Sequence, residues 1–234
     1  MISLRLQMQI YLRVSLAVTL VFFASHTLFA QRVPAKHPVS GRVIAPVMSA
    51  AGADWLERTE RESEESPTRA VALLGLKPGM TVCDLGAGTG YYAVRMARLV
   101  GPEGRVYAVD IQPRMLELLD KRLASAGIKN VLPTLGAESE TNLPPGSQDM
   151  IVLVDVYHEF SKPQEMLRSI KTALKDTGRL VLLEFRKEDR SVPIRLEHKM
   201  SLAEVKAELE PEGFQIEKVL DTLPWQHLIF LRKK

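Results

Sequence analysis

The sequence predicts a doubly wound α/β fold built on a mostly parallel, seven-stranded sheet. Three observations predict it. From Leu76 to the C-terminus, apolar strand-like runs alternate with helical patterns. Two of the runs, Ile151-Val152-Leu153-Val154 and Leu180-Val181-Leu182-Leu183, carry no polar residue, as strands buried on both faces do. Only Asp221–Gln226 separates the last two strands, so they form a C-terminal hairpin and the final strand is antiparallel.

The elements follow in order. Trp55 to Gly75 reads as a helix interrupted near Pro67, polar at first and then apolar (Ala70, Val71, Leu73, Leu74). Leu76-Lys77-Pro78-Gly79 is a turn, and Thr81–Leu85 a short strand. Gly86–Gly90 is a glycine-rich turn, and Tyr91–Val100 a helix stopped by Gly101-Pro102. Arg105–Ile111 is a strand, Pro113–Ala126 a helix ending at Gly127, and Asn130–Leu135 a strand. Asp149–Val156 is a strand and Pro163–Leu174 a helix. Gly178–Phe185 is a strand, Leu202–Leu209 a helix, and Phe214–Leu220 and His227–Leu231 are the closing strands.

Composition is that of an ordinary globular chain: 234 residues, 46% hydrophobic and 25% charged. With 31 basic and 28 acidic residues spread along the chain, the net charge is +3, which argues against a dedicated polyanion binder. Cys83 is the only cysteine, which excludes an intrachain disulfide and a cysteine-based metal site. It reads as a small apolar strand residue.

The N-terminus separates from the body. Arg5 and Arg13 precede an uncharged apolar run, Val14 to Ala30. A basic flank, a short apolar stretch and a small residue at Ala30 read as a signal peptide, residues 1–30, that exports the chain to the periplasm. An uncleaved membrane anchor is the competing reading, with possible membrane association through this segment, and a later Met start is the third. Residues 31–53, with Pro34, Pro38, Gly41 and Pro46 and no periodicity, read as a linker or irregular arm, and 54–234 as the main domain.

The chemistry concentrates in Asp84-Leu85-Gly86-Ala87-Gly88-Thr89-Gly90, which follows a strand and opens a helix. Glycines there let a ligand approach the backbone, and the helix start offers free N–H groups. A tight turn without ligand is the plain alternative. The dinucleotide fingerprint needs its third glycine where Tyr91 stands, and a P-loop needs a Gly-Lys-Ser/Thr ending, so both are disfavoured. Asp110 ends the next strand, where a carboxylate can accept hydrogen bonds from both ribose hydroxyls; alternatively, it caps the helix that starts at Pro113.

Together with Ala108-Val109-Asp110, Asp149-Met150-Ile151-Val152-Leu153-Val154-Asp155 and Gly178-Arg179-Leu180-Val181-Leu182, the glycine turn resembles the class I S-adenosylmethionine-dependent methyltransferases over about Leu76 to Lys234. The terminal hairpin is a hallmark of that Rossmann-like superfamily. Within it, Trp55-Leu56-Glu57-Arg58, Asp155-Val156-Tyr157-His158-Glu159-Phe160, His198-Lys199-Met200 and Trp225-Gln226-His227 resemble bacterial methyltransferase-domain proteins with exported leaders. The resemblance implies S-adenosyl-L-methionine as cofactor. Asp84 would hold its methionine end, and Gly86, Ala87, Gly88 and Gly90 would line it with backbone. Asp110 would bind the ribose, Ile111 would pack on adenine, Glu138 would lie near adenine, and Asp155 would lie by the transferring methyl.

Methyl transfer is an in-line displacement that chiefly needs alignment, with a base only when the nucleophile must lose a proton. His158 is the base candidate, with Tyr157 or Glu159 as a substrate contact; a histidine bracing the loop is the alternative. His158, His198 and His227 all map to the carboxyl edge of the sheet, where ligands bind in this topology. Three histidines can hold zinc, but no close ligand spacing marks a site, so the sequence assigns no metal. Arg58 could meet the cofactor carboxylate, whereas Arg61, amid Glu57, Glu60, Glu62, Glu64 and Glu65, reads as solvated. The fourth strand lacks the Asn/Asp-Pro-Pro-Tyr/Phe signature of nucleic-acid amino-methyltransferases, which points to a small-molecule acceptor and no nucleic acid. A non-catalytic S-adenosylmethionine- or nucleoside-binding module of the same fold is the alternative function.

Overall fold

In a computed structural model, residues 35–234 are described. The expected leader, residues 1–30, lies outside them. No helix among the described residues is long and apolar enough to cross a membrane.

Strands β1 (Thr81–Leu85), β2 (Arg105–Asp110), β3 (Val131–Leu135), β4 (Gln148–Val154), β5 (Leu174–Arg186), β7 (Phe214–Leu220) and β8 (Gln226–Lys233) form one sheet in the order β3-β2-β1-β4-β5-β8-β7. The first five are parallel, and β8 runs antiparallel to both β5 and β7. The expected architecture is thus present, with one addition. Two residues, β6 (Lys199–Met200), pair in parallel with the end of β5 at Phe185 and Arg186. A strand that short leaves no periodic signal in a sequence.

Helices cover both faces. On one lie α3 (Pro67–Leu73), α4 (Tyr91–Val100) and α5 (Pro113–Ala126). Their residues Ala70, Val71, Met96, Leu119 and Leu123 pack with Val82, Met150, Val152, Val181 and Leu183. On the other face α6 (Pro163–Ala173) and α7 (Leu202–Leu209) bring Met166, Leu167, Ile170, Val205 and Leu209 against Cys83, Ile151, Leu153, Leu180 and Leu182. The alternation along β4 and β5 explains why both strands read as uninterrupted apolar runs: each successive side chain faces a different core.

Local signals set the helix bounds. Pro113 and Pro163 start α5 and α6, where a missing N–H costs nothing. Ser201 and Glu204 form a capping box on α7. Ahead of β1 the structure corrects the sequence reading. The expected helix is three short ones, α1 (Ala53–Leu56), α2 (Arg61–Glu65) and α3. Ser66, ahead of Pro67, adopts a left-handed φ of 51° and turns the chain there.

Residues 35–53 hold no strand longer than the single bridge Lys36–Val43 and no helix before Ala50. Even so they belong to the same compact unit as the body, Ala35–Lys234. Arg42 makes a two-pronged ion pair with the buried Glu208 of α7, at 2.8 and 3.1 Å. Glu208 also pairs with His37 at 3.2 Å and accepts from Ser40 Oγ. Ile44 and Ala45 are buried.

Candidate functional site

The glycine turn follows β1. The N–H groups of Gly86 and Ala87 both donate to the Val109 carbonyl, at 2.8 and 2.9 Å, which folds the turn onto β2. Gly86 and Gly88 have φ of +80° and +52° and line the cavity described below. A Cβ on Gly86 would sit 2.5 Å from Val156, and one on Gly88 2.8 Å from Leu56, so both positions need the bare backbone. Ala87 and Gly90, expected to line a ligand, do not reach the cavity. Ala87 is packed in the core, and Gly90, at φ +80°, starts α4 against Leu119.

Asp110 closes β2 and is buried. Its Oδ2 accepts the Gly88 N–H and its Oδ1 the Gln112 N–H, each at 2.8 Å. One carboxylate thus ties the glycine turn to the start of α5, and each oxygen keeps a lone pair for a ligand. Burial raises its pKa, while the backbone donors pull it down. Ile111 lines the cavity and is 40% exposed, leaving an apolar face open. Glu138 also lines it, with Ser161 Oγ at 3.2 Å.

The other expected carboxylates part company. Asp84 is buried behind the turn and does not line the cavity. Its Oδ2 has no partner among the described residues, and burial pushes its pKa up to about 7. Asp155 does face the cavity. It follows β4 in a left-handed conformation, φ +54°, a non-glycine strain of ~1–3 kcal/mol of the kind that collects at functional sites. Gln226 donates to its Oδ2 at 2.7 Å, while Oδ1 is buried without a partner. Burial, with Glu65 and Glu184 nearby, raises its pKa well above the usual carboxylate range.

The two arginines exchange their expected places. Arg58 stacks 3.7 Å over the Trp55 ring and pairs with Glu64 and Glu65, and it does not itself line the cavity. Arg61 is the buried one and lines the cavity. It pairs with Glu65 at 2.7 Å, donates to the Leu56 carbonyl at 2.9 Å and stacks 4.4 Å over Tyr91. The break between α1 and α2 rotates Arg61 inward, which an unbroken amphipathic helix would not do.

One cavity of about 760 Å³ joins these groups to a second cluster. Pro46, Val47 and Met48 of the arm line it beside Gln112, and its far half is mostly apolar, with Phe160, Phe185 and Ile194. At its polar end stand His158 and Glu159, in the single turn Tyr157–Glu159 after β4, and His198, which ends the turn Leu196–His198 just before β6. His158 Nδ1 lies 2.6 Å from Glu184 Oε2, and the same carboxylate accepts the Tyr157 N–H through Oε1 at 2.9 Å. His158 Nε2 lies 3.2 Å from His198 Nδ1. Burial pushes Glu159 up to about 7 and, with His158 alongside, pushes His198 down.

Tyr157, expected as a substrate contact, is instead wholly buried in the core, edge-on to Phe160 and under the Arg42 guanidinium at 5.5 Å, and does not line the cavity. Within this turn His158 and Glu159 face the site and Tyr157 faces the core. His227 is also displaced: it is buried beside Asp221, and it too is absent from the cavity wall. Glu184, Glu65 and Gln226 complete the site.

The cavity fits S-adenosylmethionine: bare backbone at Gly86 and Gly88, free lone pairs on Asp110, and an unpartnered acceptor on Asp155. A protein family described as "Methyltransferase domain" matches residues 76–227, more than half of the chain. The chain belongs to the class I S-adenosylmethionine-dependent methyltransferases. Among curated relatives, the ubiquinone/menaquinone biosynthesis C-methyltransferase UbiE of Pseudomonas putida (strain GB-1) is 33% identical over 118 residues, 50% of this chain and 46% of that protein. UbiE of Shewanella sp. (strain W3-18-1) is 32% identical over 123 residues, 52% and 49% of the two. The match thus spans about half the length of those relatives. A solved S-adenosylmethionine-dependent methyltransferase from Aquifex aeolicus superposes with a TM-score of 0.74 at 28% identity, covering 79% of this chain and 98% of that one. A TehB-like methyltransferase from Corynebacterium glutamicum shares the fold, with a TM-score of 0.59 at 14% identity over 80% of this chain and all of that one. S-adenosylmethionine is accordingly the cofactor of this methyltransferase.

Proposed function

We propose that this methyltransferase moves the methyl of S-adenosylmethionine to a small, largely apolar acceptor that carries one ionisable group. The observation that carries the reading is the single cavity with Gly86, Gly88 and Asp110 at one end and His158, Glu159 and His198 at the other. The bound cofactor supplies an electrophilic methyl on a sulfonium. The chain's residues supply position and proton handling. Gly86, Gly88, Asp110 and Ile111 seat the nucleoside, and Asp155 and Arg61 face its amino-acid end. The far half excludes water with Phe160, Phe185 and Ile194, and places the acceptor's ionisable group at His158 and Glu159. His158, oriented through Nδ1 by Glu184, presents Nε2 as the base. The UbiE relatives are described as C-methyltransferases of quinone biosynthesis. A phenolic or quinol-like acceptor therefore suits both the kinship and the apolar walls.

Calorimetry with S-adenosylmethionine and transfer of a labelled methyl to a panel of phenols and quinols test the reading. Saturable binding with transfer supports it. Absence of cofactor binding sinks it, and binding without transfer to any acceptor makes the chain a binding module instead.

A further inference from the structure

Three ligand-type atoms converge at the polar end of the cavity. One nitrogen of His158, one of His198 and a carboxylate oxygen of Glu159 all lie within 4.8 Å of one another. The His158 Nε2–His198 Nδ1 separation is 3.2 Å. Two imidazole nitrogens bound to a tetrahedral zinc at ~2.0–2.1 Å stand ~3.3–3.4 Å apart, so the pair already spans one edge of such a site. Glu159 Oε1 lies 4.0 Å from His158 Nε2. A shift of its carboxylate by less than ~1 Å closes the second edge.

The surroundings suit a cation. Glu184 holds His158 Nδ1 at 2.6 Å and is itself fixed by the Tyr157 N–H. An Nδ1–H donated to Glu184 leaves the Nε2 lone pair aimed at the cluster. This is the carboxylate–histidine–metal arrangement, in which the outer partner sets tautomer and ring orientation. Glu159, Glu184 and Glu197 surround the histidines, against two guanidiniums, Arg195 and the Arg42 that donates to the His158 carbonyl. A hydrogen bond between the two imidazoles alone would explain their distance, but not the third ligand or the carboxylate behind His158. Two histidines and one carboxylate leave coordination positions open, and the open side here is the cavity.

We propose that His158, Glu159 and His198 bind one divalent cation, with zinc the best match, and present it to an oxygen of the methyl acceptor. The cation's role in transfer rests on the reading of the cavity given above; its binding does not. The two uses of His158 are exclusive, because one Nε2 lone pair cannot both hold a cation and take a proton. With the cation seated, the acceptor hydroxyl is deprotonated on coordination, its proton passes to water, and His158 acts as a ligand.

The test uses the untagged full chain, stripped with chelator and dialysed. Zinc chloride is titrated by calorimetry, and cobalt(II) by visible absorption. One zinc per chain and the absorption of a low-symmetry nitrogen–oxygen cobalt site are expected. His198→Ala and Glu159→Gln each weaken zinc at least ~10-fold, and Glu184→Gln weakens it ~10–100-fold and shifts the cobalt spectrum. His227→Ala leaves binding unchanged. No saturable binding, undiminished binding in both His198→Ala and Glu159→Gln, or an equal loss in His227→Ala overturns the proposal. S-adenosylmethionine is titrated into the same metal-free chain. Cofactor binding without zinc binding removes the cation alone, whereas zinc binding without cofactor binding removes the methyl-transfer reading alone.

Discussion

The two halves of the cavity are built in different ways. The cofactor half centres on the turns that end β1 and β2, with Asp155 and Arg61 beside them, and backbone hydrogen bonds from Gly86, Ala87 and Gly88 set its shape. The acceptor half is assembled from the arm, the turn after β4, the end of β5 and the segment before β6, and side chains separated by tens of residues hold it. Backbone geometry tolerates few residue types at a given position, whereas a side-chain assembly can be rebuilt without disturbing the sheet. One half therefore keeps a common cofactor, while the other sets the acceptor.

The largest expected effect separates the halves. His158→Ala lowers turnover ~10²–10⁴-fold, the usual worth of a positioned proton-handling group, while the affinity for S-adenosylmethionine stays within error. Equal losses in both, with an unchanged melting temperature, would mean that the halves are not independent.

Next in size is the arm. Arg42→Ala leaves Glu208 with His37 and Ser40, and it removes the bond from Arg42 Nη1 to the His158 carbonyl at 2.9 Å. Breaking a buried pair by removing one partner costs ~3–5 kcal/mol. Chemical denaturation should show that loss, and acceptor KM should rise more than cofactor Kd. An unchanged acceptor KM would detach the arm from the acceptor half.

Asp84 sharpens the contrast from the cofactor side. Its carboxyl sits at about 7 in the folded chain, against ~3.9 when unfolded, so folding favours the protonated form. The stability this contributes is complete below ~4, declines as pH rises towards 7, and is gone above it. Asp84→Asn should therefore gain on the native chain by up to a few kcal/mol as pH rises from ~5 to ~7.5. Melting curves that stay parallel across that range would remove Asp84 as a buried neutral acid.

The smallest effect is local. Asp110→Ala removes the acceptor for both the Gly88 and Gln112 N–H groups and weakens S-adenosylmethionine ~10–100-fold by calorimetry, the worth of hydrogen bonds to a charged group. Unchanged affinity would place the ribose elsewhere.

What was legible follows the same division. The bounds of α4, α5, α7, β1 and β7 follow from the sequence because prolines, glycines and caps act within a few residues. So do the glycine turn, Asp110 and Asp155. The exchange of Arg58 and Arg61 was not legible, because it depends on a helix break whose consequence is which side turns inward. Nor was Tyr157's burial, since a residue in a one-turn element carries no periodicity to show its face. The inclusion of His198 and the exclusion of His227 depend on β6, two residues long, and on the register Glu184↔His227 in the antiparallel pair.

By itself the sequence determined the alternation of strands and helices, the closing hairpin and the cofactor turn, all of them products of short-range sterics and hydrophobic period. The tertiary structure decided which polar side chains meet. The 40-residue step from His158 to His198 is closed by sheet pairing, and the arm is held by a buried carboxylate on α7 and by the His158 carbonyl. Such contacts leave no local trace, because they are set by how the elements pack and not by what each element is made of.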